Sequence, residues 1–98
     1  MATNNAIVNI QIIPKADAPA EVYPAVDRAI EVIVRSGVRY EVGALGTTME
    51  GDLDQLFEIV KDMHRAVLAA GCPSVLGQIR TFLGPATTTM GEVTKNYR

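Results

Sequence analysis

Two threonine hydroxyls and one carboxylate lie within four consecutive residues, at Thr47, Thr48 and Glu50. Gly43 and Gly46 precede this group, and glycine supplies the backbone freedom that a tight reversal needs. The group therefore predicts the return strand of a β-hairpin, where strand geometry holds the polar side chains in fixed directions. Such a set of donors and acceptors suits the binding of a small polar molecule.

Four segments are predicted to be strands: residues 6–13, 38–42, 47–50 and 75–83. Because side chains alternate across a strand, the first strand has an apolar face and a mixed face. The apolar face is Val8, Ile10 and Ile12, and the mixed face is Ile7, Asn9, Gln11 and Ile13. Pro14 lacks a backbone donor and is predicted to end the pairing of this strand.

Two segments have apolar side chains at helical spacing. The first helix is predicted to begin between Glu21 and Pro24 and to end before Gly37, and the second to cover residues 53–70. Asp52, three residues before Gln55, resembles a capping box. The predicted buried stripes are Val26, Ala29, Ile30, Ile33 and Val34 in the first helix, and Leu53, Leu56, Phe57, Val60, Met63, Val67 and Leu68 in the second.

The element order strand, helix, strand, strand, helix, strand predicts one α+β domain over residues 1–98 with the ferredoxin-like pattern. Right-handed crossovers would place both helices on one face of a four-stranded antiparallel sheet and leave the other face open. The open face would carry four large apolar side chains, Ile7, Ile13, Leu76 and Phe82. Exposed apolar surface of this kind usually marks an interface, so we expect a homodimer or homotetramer joined through the open face.

The open face would also carry a set of polar side chains that share one alternation phase. They are Asn9, Gln11, Thr48, Glu50, Gln78 and Arg80. These groups could line a ligand pocket. They could equally form a polar subunit interface or a solvated sheet surface.

The charge and residue composition exclude several classes of function. A net charge of −2 and few aromatic residues give no basis for binding nucleic acid, and no apolar run is long enough to span a bilayer. With Cys72 and His64 as the single cysteine and histidine, neither a disulfide nor a metal site is expected. One carboxylate, Glu50, without a partner acid or base does not predict catalysis. We expect a cytoplasmic protein without a signal peptide, cofactor or catalytic residue.

Several longer sequence motifs resemble those of a known protein family. The runs Ser36–Gly43 and Thr47–Asp52, together with Tyr23-Pro24 and Ala70-Gly71, resemble the small thiamine-binding proteins with a ferredoxin-like fold. The resemblance covers the chain to about residue 81, and it implies a non-enzymatic protein that binds thiamine through its pyrimidine moiety and assembles as dimers or tetramers.

The resemblance also implies ligand-binding roles for Tyr40, Thr47, Thr48 and Glu50, which occupy the family's motif positions. With the open-face amides Asn9, Gln11 and Gln78, they form the predicted site. Glu50 would accept from the amino group of the pyrimidine, and Tyr40 could lie near the thiazolium cation. Ser74 stands where many members have arginine. The alternatives are a small dimeric ferredoxin-like enzyme and an assembly module without a ligand.

Overall fold

The computed structural model describes residues 4–18 and 21–97. Its elements are β1 (Asn4–Lys15), α1 (Val22–Ser36), β2 (Arg39–Gly43), β3 (Gly46–Gly51), α2 (Leu53–Ala69), β4 (Ser74–Pro85) and α3 (Met90–Thr94), followed by a 3-10 turn at Lys95–Tyr97. The predicted order of strands and helices is confirmed. The predicted loop before α1 includes residues 19–20, which lie outside the described residues.

The four strands form one antiparallel sheet in the order β2-β3-β1-β4. This is the predicted ferredoxin-like arrangement. β2 and β3 form the predicted hairpin, with Gly43 opposite Gly46. A side chain on Gly43 would place its Cβ 2.9 Å from the carbonyl oxygen of Gly46, so the tight turn requires a glycine there.

The core lies between the helices and one face of the sheet. It takes Ala6, Val8 and Ile10 from β1, Met49 from β3, and the buried stripes of both helices. On α1 these are Ala25, Ala29 and Ile33, and on α2 they are Leu56, Ile59, Val60, Met63 and Val67. Val34 and Leu68 were therefore wrongly assigned to the core, because each is about half exposed. Helix α1 contacts both α2 and β1, and its buried residues Ala25, Ala29 and Ile33 follow one another at four-residue spacing.

Helix α2 begins as predicted, because the Asp52 carboxylate accepts a hydrogen bond from the backbone N–H of Gln55. Gly71 follows the helix with φ of 102°, a conformation that glycine adopts readily. The prediction that Pro14 ends the pairing of β1 is wrong, since Pro14 lies opposite Val75 in a ladder with β4 that continues to Lys15. The β3 ladder extends only to Ile10, so at Pro14 β1 is an edge on that side and tolerates a missing donor.

Residues 86–97, which we call the strap, follow β4 and fold back over the open face of the sheet. The backbone N–H of Thr88 donates to the carbonyl of Pro85 across 2.9 Å, and the Asn5 side-chain amide donates to the Thr88 carbonyl across 2.7 Å. Gly84 belongs to the same strand face as Phe82, and a Cβ on Gly84 would collide with the Thr88 hydroxyl. The sequence left the structure of this segment open.

Candidate functional site

A row of polar side chains crosses the open face of the sheet from strand to strand. Residues that are directly opposite in a ladder project to the same face. Asn9 is opposite Thr48 on β3 and Arg80 on β4, and Gln11 is opposite Gln78. The structure therefore brings together the amides and the hydroxyl that were predicted to share this face.

The polar row is preorganised at one point. The Asn9 side-chain amide donates to the Thr48 hydroxyl oxygen across 3.0 Å. Because Thr48 accepts this bond, its own O–H remains able to donate to another group. The amides of Gln11 and Gln78 hydrogen-bond to none of the described residues, so they too can serve a ligand.

Glu50 projects to the same face, but the rest of the chain encloses it. One carboxylate oxygen, Oε1, lies 3.3 Å from the Arg39 Nε, and the other, Oε2, accepts the backbone N–H of Met90 across 3.2 Å. Only 7% of the Glu50 surface is exposed. A buried carboxylate needs such partners, because an unpaired charge away from water is costly.

Tyr40 and Thr47 lie on the other face of the sheet. Tyr40 is opposite Met49 and Thr47 is opposite Val42, so both belong to the side that meets the helices. Thr47 is 5% exposed. The motif that suggested one site thus contributes Thr48 and Glu50 to one face, and Tyr40 and Thr47 to the other.

Thr47 borders a small cavity between α1 and the turn of the β2–β3 hairpin. The cavity measures about 150 Å³ and is lined mainly by apolar side chains, among them Val26, Ile30, Val42 and Met63. A larger cleft of about 610 Å³ lies between α1 and α2, and it contains none of the predicted site residues. We place the candidate site on the open face because the polar groups converge there, although the clefts are on the helical side.

His64 and Cys72 have structural surroundings. The His64 Nδ1 lies 2.7 Å from the Val60 carbonyl oxygen of its own helix, and a Cβ on Gly77 would come within 2.6 Å of its Nε2. Cys72 is buried with the core. Across residues 4–18 and 21–97, no group of three His, Cys, Asp or Glu side chains is placed to hold a metal ion.

Sequence reasoning missed two partners of Glu50. Arg39 could have been found from the turn, because Gly43 opposite Gly46 requires Arg39 to be opposite Glu50. Met90 could not, since it is 40 positions away along the chain and approaches only when the strap folds over.

In the part of the chain that the structure describes, no helix is both long enough and apolar enough to cross a membrane.

The fold and the polar open face define a ferredoxin-like α+β domain, and comparison with known proteins assigns its family. The family described as thiamine-binding protein matches residues 8–96. The UPF0045 protein of Clostridium perfringens is 36% identical over 91 residues, which cover 93% of this chain and 95% of that protein. The chain therefore belongs to the thiamine-binding protein family, as the motifs predicted.

Solved structures show the same fold. A domain of unknown function, DUF77, from Bacillus cereus superposes with a TM-score of 0.90 at 40% identity, covering 98% of this chain and 92% of that one. A candidate thiamine biosynthesis/salvage protein of Thermotoga maritima superposes with a TM-score of 0.84 at 28% identity, covering 96% and 99%.

Proposed function

We propose that this protein binds thiamine, or its hydroxymethylpyrimidine moiety, on the open face of the sheet without catalysing a reaction. The observation that carries the proposal is membership of the thiamine-binding protein family across residues 8–96. The protein would act in the cytoplasm as a carrier, buffer or sensor of the vitamin.

The polar row supplies the chemistry that an aminopyrimidine requires. The ring presents an exocyclic amino donor and nitrogen acceptors. The free O–H of Thr48 and the amide N–H groups of Gln11 and Gln78 can donate to the ring nitrogens, and an amide oxygen or the Glu50 carboxylate can accept from the amino group. A ligand lacking these groups would leave polar side chains unpaired, which favours the pyrimidine over an apolar ring.

The proposed assembly is a homodimer or homotetramer in which a second copy covers the open face. Two apolar cross-strand pairs, Ile13 with Leu76 and Ile7 with Phe82, flank the polar row. Leu76 is 49% exposed and Phe82 is 51% exposed. Covering this surface would bury apolar area and close the polar row from bulk water.

Titration calorimetry tests the ligand. Thiamine, its phosphates and the hydroxymethylpyrimidine fragment are each titrated into the protein, with the thiazole fragment as the control. We expect heat from thiamine and the pyrimidine and none from the thiazole, and a rise in the unfolding temperature with the same compounds. Binding of the thiazole alone would contradict recognition through the pyrimidine, and no binding by any compound would favour the assembly module.

Sedimentation equilibrium tests the assembly. Leu76→Glu places a charge on the open face, and Leu68→Glu is a matched control because Leu68 is also 49% exposed but lies on α2. We expect the wild type and Leu68→Glu to associate and Leu76→Glu to dissociate, with a dissociation constant raised roughly ten- to a hundredfold for the loss of one buried leucine. A monomeric wild type at micromolar concentration would contradict the assembly.

A further inference from the structure

The strap is docked by few contacts. All of its residues are described, and only Thr88 and Met90 are buried, while Val93 and Tyr97 remain largely exposed. The hydrogen bond between Asn5 and the Thr88 carbonyl and the fit of Thr88 over Gly84 hold the beginning of the strap. Beyond that point, the Met90 backbone N–H donates to Glu50 Oε2, and Met90 is itself buried.

This link occupies the atom that the proposed ligand would use. A backbone N–H and an N–H of the pyrimidine's amino group are both donors that a carboxylate oxygen can accept. The Arg39 guanidinium meets the other oxygen, Oε1, and its side chain is 83% exposed, so it can stay in place whichever donor meets Oε2. Glu50 is only 7% exposed while the strap is docked, so a ligand amino group can reach Oε2 only if the Met90 N–H moves away.

We infer that the strap is a lid that competes with the ligand, with the Met90 N–H standing in for the ligand's amino group at Glu50. This inference rests on the proposed function. In the closed state Met90 and Glu50 are buried together. In the open state the strap swings away at Pro85 to Thr88, and the carboxylate receives the amino group while it keeps Arg39 as its ion-pair partner.

A matched pair of variants isolates the competing donor. Met90 is the first residue of α3, where proline fits a helix, and Thr89 is extended with φ of −139° and ψ of 163°, the conformation favoured before proline. Met90→Pro thus removes the N–H and the methionine side chain with little change of backbone path. Met90→Ala removes the side chain and keeps the N–H.

Calorimetric titration with thiamine and with its hydroxymethylpyrimidine fragment compares the wild type and both variants. We expect Met90→Pro to bind roughly tenfold more tightly than Met90→Ala, because one hydrogen bond to a charged group no longer has to be broken. Equal affinities in two folded variants would overturn the lid and leave the proposed function standing. Failure of all three proteins to bind either compound would overturn both.

Hydrogen exchange gives a second readout on the wild type. Ligand binding should speed exchange of the backbone amides in α3 and slow exchange around Thr48, since the strap leaves as the ligand arrives. Slower exchange in α3 on ligand binding would overturn competition, because it would mean that the strap closes over the ligand.

Discussion

The two ends of the open face differ in what covers them. At the covered end the strap encloses Glu50, and both carboxylate oxygens have partners. At the bare end Gln11 and Gln78 face each other across β1 and β4, and neither side chain hydrogen-bonds to a described residue. The difference follows from charge, because an enclosed carboxylate needs fixed partners whereas neutral amides remain hydrated at little cost. A ligand would displace only water at the bare end but would have to replace a protein donor at the covered end.

The largest expected change in ligand affinity comes from Glu50→Gln, tested so that the ligand contact of Glu50 is separated from its contact with the strap. If strap and ligand compete for Oε2 as proposed, Glu50→Gln should weaken both contacts in the wild type. In the Met90→Pro background the strap contact is already absent, and Glu50→Gln should lower the affinity for the pyrimidine by about 1.5–3 kcal/mol, roughly ten- to a hundredfold. Calorimetric titration of Met90→Pro and of the Glu50→Gln, Met90→Pro double variant measures this difference. Equal affinities of the two proteins would show that Glu50 does not contact the ligand.

The stability of the covered end can be tested at Gly84. Gly84→Ala would press its Cβ against Thr88 and should lower the free energy of unfolding by about 1–3 kcal/mol, as overpacking does. Gly91→Ala in the strap is the control, since the nearest atom to its Cβ is 3.9 Å away and alanine favours a helix. Urea denaturation measures both. A Gly84→Ala protein as stable as Gly91→Ala would show that the strap is not held over Gly84.

Adjacent threonines distinguish the two faces of the sheet. Thr48→Val removes a hydroxyl from the polar row and should weaken binding by about 0.5–1.5 kcal/mol, the value of one neutral hydrogen bond. Thr47→Val changes the helical side and should leave the affinity unchanged. From the family resemblance alone, both substitutions would be expected to weaken binding. If Thr47→Val weakens binding and Thr48→Val does not, the ligand lies in the cavity beside α1.

The smallest change in affinity is expected from a substitution at Ser74, the first residue of β4. Ser74 is exposed and lies opposite Lys15, well beyond the polar row. Ser74→Arg should change the affinity for thiamine by less than about 0.5 kcal/mol, as most surface substitutions do for stability. Loss of binding in a folded Ser74→Arg protein would place the end of β4 in the site.

Local patterns predicted the sheet well because a strand's side chains alternate with period two whatever lies far away in the sequence. That period, together with the assumed strand registers, placed Asn9, Gln78 and Thr48 on one face. The same period put Tyr40 in phase with Val42, and Tyr40 was grouped with Glu50 only because the family motif joins them in sequence. Motif membership carries no information about the face of a strand.

Long-range contacts were beyond the sequence. The predicted α1 stripe omitted Ala25, although Ala25 lies four residues before Ala29 and shares its helical face. The strap is a short helix with little apolar periodicity, and its position depends on Asn5, Gly84 and Glu50, which are distant in the chain. The burial of Glu50, predicted to lie in an open pocket, follows from that position.

The docking of the strap also has a consequence for the order of folding. Its contacts join residue 90 to β3 and residue 88 to β1, so we expect them to form after these strands have paired with their neighbours. Contacts that form after the rate-limiting step slow unfolding and leave the folding rate unchanged. The strap would therefore lower the unfolding rate of the domain without changing its folding rate, because the sheet assembles before the strap docks.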